Sequence, residues 1–75
     1  MKKKLYFTVV KEEQENDDGV CLTGNKTITV YDMVDNRPKM FALIEGNNED
    51  SSIELIQVYL DDNGYRDDEF KFVLL

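Results

Sequence analysis

Ser51-Ser52-Ile53-Glu54-Leu55-Ile56-Gln57-Val58-Tyr59-Leu60-Asp61-Asp62-Asn63-Gly64 decides the fold, because the periodic stretches on either side of it read as strands. At about 100° per residue, Ile53, Leu55, Ile56, Val58, Tyr59 and Leu60 fill one broad arc. Glu54, Gln57 and Asp61 share the other side. Read as a strand, the same segment mixes Gln57 and Asp61 with Ile53, Leu55 and Tyr59, so the alternation fails. Ser51 and Glu54 fit a capping box, in which the Ser51 hydroxyl accepts from the Glu54 amide and Glu54 reaches back. On that reading Ser51→Ala costs about 1 kcal/mol. Asn63-Gly64 supplies a left-handed stop. The spacing predicts an amphipathic helix over about 51–62. A hairpin turning on Asn63-Gly64 is the competing reading, with poorer alternation before the turn.

Three stretches before the helix and one after it alternate at strand period. From Lys4 to Lys11, Leu5, Phe7 and Val9 alternate with Tyr6, Thr8 and Val10. From Lys26 to Val34, Ile28, Val30 and Val34 share one face, and Thr27, Thr29, Tyr31 and Met33 the other. Asp32 falls on the apolar face, a discord that a bulge or a strand end reaching solvent resolves. The third strand, Lys39 to Glu45, is apolar on both sides, with Met40, Ala42 and Ile44 against Phe41 and Leu43. In the last, Phe70, Phe72 and Leu74 alternate with Lys71, Val73 and Leu75.

Between the strands, Glu12 to Gly19 reads as an acidic loop and Gly24-Asn25 as a second break. Val20-Cys21-Leu22-Thr23 fits a short strand or a buried loop equally. Asp35-Asn36-Arg37-Pro38 reads as the turn of an antiparallel hairpin. A helix between two strands makes a crossover, which sets the last strand parallel to the third. The fold class is therefore α+β: one domain over residues 1–75, ordered β-β-β-α-β. Its sheet is mainly antiparallel, the C-terminal strand lies beside the first, and one helix packs on one face.

Composition excludes more than it assigns. The chain has 75 residues, 41% of them hydrophobic, which is too apolar for a disordered segment. A domain this small buries only about 60% of its unfolded surface, and such scaffolds lean on disulfides, a metal or self-association. One cysteine and no histidine leave neither an internal disulfide nor a zinc site of the usual ligands. Self-association remains.

With no histidine, the commonest general base is missing. Cys21 has no histidine or basic cluster near it in sequence and reads as a small core hydrophobe. Ser51 and Ser52, the only serines, are explained by the helix start. A calcium loop fails in both registers: Gly64 at position six puts Tyr59 first and Phe70 twelfth, while Gly19 puts Gln14 first and Asn25 last. The four glycines are scattered, so no phosphate-cradling loop exists. No enzyme, cofactor or metal is expected.

Charge is segregated. Residues 1–11 carry four lysines and no acid, residues 12–24 five acids and no base, and the whole chain is at −7. That balance opposes direct binding to nucleic acid or to anionic membranes. Met1-Lys2-Lys3-Lys4 opens like a signal peptide, but its apolar stretch ends at Lys11, and no run is long enough to span a bilayer. A cytoplasmic location follows as the expectation.

One helix covers one face of a sheet. Leu5, Phe7, Val9, Ile28, Val30, Phe70, Phe72 and Leu74 are expected to face it. The opposite face then shows Tyr6, Val10, Tyr31, Met33, Val73 and Leu75 among Thr8, Thr27, Thr29 and Lys71. This surplus of apolar positions makes Tyr6, Val10, Tyr31 and Met33 the candidate interaction residues, serving a protein partner or a homodimer. The function expected is a protein-interaction or regulatory module. The alternative is an acidic mimic of nucleic acid that inhibits a DNA-binding protein. Two copies at −7 repel, so the dimer is expected to tighten as salt rises and the mimic's contact to loosen.

Overall fold

A computed structural model describes residues 2–75 and has the expected α+β architecture. Strands β1 (Lys3–Asn16), β2 (Gly19–Val34) and β3 (Arg37–Asn47) precede helix α1 (Ser52–Asp62), a 3-10 turn (Asp67–Glu69) and β4 (Phe70–Leu74). The sheet order is β3-β2-β1-β4, so the C-terminal strand lies beside the first. β1–β2 and β2–β3 are antiparallel, and β1–β4 is parallel. The backbone amide of Leu75 extends that last ladder by donating to the Phe7 carbonyl at 2.9 Å.

The strands run further than their alternation predicts. The stretch 12–19 is not a loop: β1 continues to Asn16, and Glu13, Gln14 and Glu15 pair with Leu22, Cys21 and Val20. The reversal is confined to Asp17-Asp18, where the Asn16 side-chain oxygen accepts from the Asp18 amide at 3.0 Å. Gly19 takes the positive φ of 117° that a side chain would resist. Residues 20–23 are strand. The break at Gly24-Asn25 is a bulge inside β2, opposite the irregularity between Lys11 and Glu13. The second hairpin turns on Asp35-Asn36 alone, both at positive φ (54° and 64°), as a two-residue type I′ turn requires. Pro38 therefore belongs to β3, opposite Met33, where an edge strand tolerates its missing donor.

A bulge between Val30 and Tyr31 in the β2–β3 pairing rearranges the third strand. Val30 opposes Ala42 while Tyr31 opposes Met40, so Phe41 is the extra residue and turns toward the helix side. Ala42 and Ile44 face the core as well. Met40 is carried to the other face, away from Ala42 and Ile44 with which its spacing grouped it. Asp32, the discordant acid, lies one residue past the bulge and pairs with Lys3 at 2.9 Å.

The core is built by one face of the sheet and one stripe of the helix. Leu5, Phe7, Ile28, Val30, Ala42, Ile44, Ile56 and Leu60 are buried, with Val9, Phe41, Leu55, Tyr59, Phe70 and Phe72 packed around them. The helix comes close to β3 at Gly46, where a Cβ would stand 2.6 Å from Leu55 Cδ1. The buried arc is narrower than the sequence suggests. It centres on Ile56 and Leu60, which leaves Val58 on the solvent side at 52% exposed and Ile53 at its margin. Leu74 also falls outside the core: it is exposed at the end of the edge strand β4, lining an open groove with Ile53 at the start of the helix.

Helix termination follows the sequence more closely than its start. Gly64, at φ 82°, donates to Asp61 O, and the Tyr65 amide donates to Leu60 O at 2.9 Å, a Schellman closure. At the other end Ser51 occupies the N-cap position with extended φ and ψ, but its hydroxyl makes no capping bond. Only its carbonyl is used, accepting from the Leu55 amide at 3.0 Å. Ser51→Ala is therefore expected to cost a few tenths of a kcal/mol, below the ~1 kcal/mol of a bonded cap, in a urea titration.

Candidate functional site

Two surfaces emerge from this arrangement, and β1 joins them. Fourteen residues at about 3.3 Å each give β1 a length of about 46 Å, close to the 50 Å long dimension of the molecule. β4 accompanies it only from Lys3 to Phe7, and β3 accompanies β2 only between Asn25 and Val34. Beyond those limits the β1–β2 hairpin continues as a bare two-stranded arm. Every residue from 10 to 22 is exposed, including Val20, Leu22 and the free thiol of Cys21. Cys21 is thus not a core residue, since nothing among the described residues covers the arm. Its sulfur accepts from the Asn16 side-chain amide at 3.2 Å.

The second surface is the sheet face opposite the helix. Residues paired across strands point to the same side, so the register lays this face out in rows about 6.8 Å apart. One row crosses all four strands: Val73, Tyr6, Tyr31 and Met40. Thr8, Thr29 and Leu43 form the next, and Val10, Thr27 and Glu45 the one after, toward the arm. On the other side of the Tyr6 row stand Lys71 beside Lys4, and Met33 beside Pro38. Of the four candidate residues, Tyr6 and Tyr31 are direct cross-strand neighbours and half-buried. Val10 and Met33 share their face but mark its two ends. Val10, Met33, Met40 and Leu43 are exposed, at 64%, 39%, 64% and 57%.

Met40 and Leu43 were missed as members of this surface. A strand apolar at every position shows no alternation for a bulge to interrupt. Asp32 gave no hint of it, because the extra residue is Phe41 on β3 and Asp32 keeps its place on the helix side of β2, paired with Lys3.

Polar groups elsewhere engage near neighbours, apart from the Asn48 side-chain oxygen, which is buried without a hydrogen-bond partner among the described residues. Among the described residues Lys26 is the single buried charged one, and its ammonium donates to the Asp50 carbonyl, tying the loop before the helix to the sheet. Arg66 sits 3.6 Å from Asp68 and 4.0 Å from Glu69. Tyr65 packs edge-on against Phe41 and Phe70, closing the end of the core. Among the described residues, no three acidic, cysteine or histidine side chains converge to hold a metal ion, and no helix is long and apolar enough to cross a membrane. Comparison with known proteins finds no matching family model, curated protein or solved structure.

Proposed function

We propose that the chain is a cytoplasmic protein-interaction module that docks through the sheet face opposite its helix, and that it binds rather than catalyses. The observation that carries this reading is the continuous row Val73–Tyr6–Tyr31–Met40, flanked by Leu43, Met33 and Val10, with no element among the described residues laid over it. Tyrosine and methionine are the residue types that protein interfaces enrich, and the threonines between them keep the surface flat and hydrated when free. Burying such a face against a partner completes a second hydrophobic layer for a domain too small to build a large core alone.

The alternative reading, mimicry of nucleic acid, draws on the acids. It needs carboxylates ranged along one side. Here ten of the sixteen are divided between the arm and the segment from Asp61 to Glu69, the other six are scattered from Asp32 to Glu54, and Arg66 engages two in the segment. The apolar face is the better supported surface.

A photocrosslinking side chain tests the docking face without presuming its occupant. Placed at Met33 it should yield an adduct at working concentration; placed at Val58, on the outer side of the helix, it should not. Equal yields from the two positions, or none from either, would contradict the proposal.

A further inference from the structure

We infer that the occupant of the open face is a second copy of this chain, packed face to face with its strands running the opposite way. In this arrangement the acidic arm of each copy lies over the basic end of the other. This rests on the interaction reading of that face and adds the partner and its orientation.

The first support is an unresolved electrostatic conflict. Lys4 and Lys71 are direct neighbours across β1 and β4, both exposed, and neither makes an ion pair among the described residues. Like charges side by side on a sheet are unfavourable unless an anion lies over them. The second support is the complementary surplus at the far end of the same strand. Glu12, Glu13, Glu15, Asp17 and Asp18 belong to the arm, and none of them is ion-paired among the described residues. β1 is thus a strand with a basic end and an acidic end: at the first Lys3 is paired with Asp32 and Lys4 is not paired, and at the second the acids of the arm have no ion-pair partner among the described residues.

Symmetry then selects the orientation. A self-complementary contact is two-fold. An axis along the strands would set Lys4 over Lys4 and arm over arm. An axis in the plane of the sheet but perpendicular to the strands reverses them and brings opposite charges together. Centred on the Thr8–Thr29 row, it sets Tyr6 over Val10 of the second copy and Lys4 over Glu12, which continues the alternation of Tyr6, Thr8 and Val10. Small threonines then lie where the two sheets, about 10 Å apart, cross. The arm extends the face beyond the four-stranded body, so it supplies contact area as well as charge. These local attractions offset the repulsion of two chains at −7, which means salt dependence alone does not report the contact. Charge exchange does.

The test compares dimer dissociation constants of the full chain with those of Lys4→Glu, Glu12→Lys and the double variant. Each single change is expected to weaken the dimer about tenfold, since it places like charges in two symmetric contacts, and the double variant should return to within about twofold. Lys4→Glu relieves the Lys4–Lys71 repulsion within the chain and is expected to keep the fold, which circular dichroism checks. A dimer indifferent to the single changes, or not restored by the double, overturns the orientation. A chain that stays monomeric overturns the second copy as occupant. If it also gives a heterologous adduct from position 33, the docking reading survives without this inference. A dimer that forms equally well with Tyr31→Asp removes the docking face itself, and the inference with it.

Discussion

Leu60→Ala is expected to lower the stability of the monomer by about 3 kcal/mol, the middle of the range for truncating a fully enclosed leucine. Leu60 is 0% exposed and lies at the centre of the helix stripe, enclosed with Ile56 among the core residues of the sheet. The loss has two parts: the transfer energy of the removed carbons, and the cavity left in a layer only one helix thick. A domain of this size holds on the order of 4–11 kcal/mol in total, so the substitution removes a large share. Val58→Ala is the control. Val58 faces solvent, and its truncation should stay within about 0.5 kcal/mol. Urea titrations of the two variants measure the difference, run in a Tyr31→Asp background so that association does not add to the apparent stability. Equal losses would mean that the helix presents a different stripe to the sheet.

Tyr31→Asp is expected to weaken self-association by about a hundredfold or more while leaving the helix side intact. Tyr31 sits in the middle of the apolar row, between Tyr6 and Met40. In the free chain the new carboxylate remains hydrated, and the fold loses only the Tyr6–Tyr31 cross-strand contact, about 0.2–1 kcal/mol. In the complex it is an unpaired charge at the centre of a desolvated surface, at a cost of several kcal/mol. That asymmetry between free and bound states is what makes the substitution diagnostic. A substitution at Met33, at the margin of the same face, should have a smaller effect, as central positions dominate an interface.

The elements that could be read directly from sequence were those whose period is unambiguous. The helix from Ser52 to Asp62 announced itself by its arc and by Asn63-Gly64, and the crossover it implies placed β4 correctly. Tyr6, Tyr31 and Met33 followed from simple alternation with buried neighbours. The arm was not legible. Glu12 to Asn16 are poor strand formers, and their extended state is inherited from a hairpin already in register between Tyr6–Tyr31 and Lys11–Lys26. Cys21 went to the wrong environment for the same reason, since its burial was inferred without knowing that the hairpin outruns its neighbouring strands. Val58 was misassigned because a helical wheel gives angular positions but not which direction the sheet lies in. Ser51 shows a finer limit: residue type located the cap, whereas the rotamer that would make the bond is a property of the folded chain.

The claim on which the rest depends is that the sheet face carrying Tyr6 and Tyr31 is buried in the working form of the protein, against a second copy. Sedimentation equilibrium of the unmodified chain over a wide concentration range, in low and in high salt, tests it most directly. The account predicts a reversible monomer–dimer equilibrium that Tyr31→Asp shifts to monomer. A single species of 8.8 kDa at the highest attainable concentration, in both salts, would contradict it.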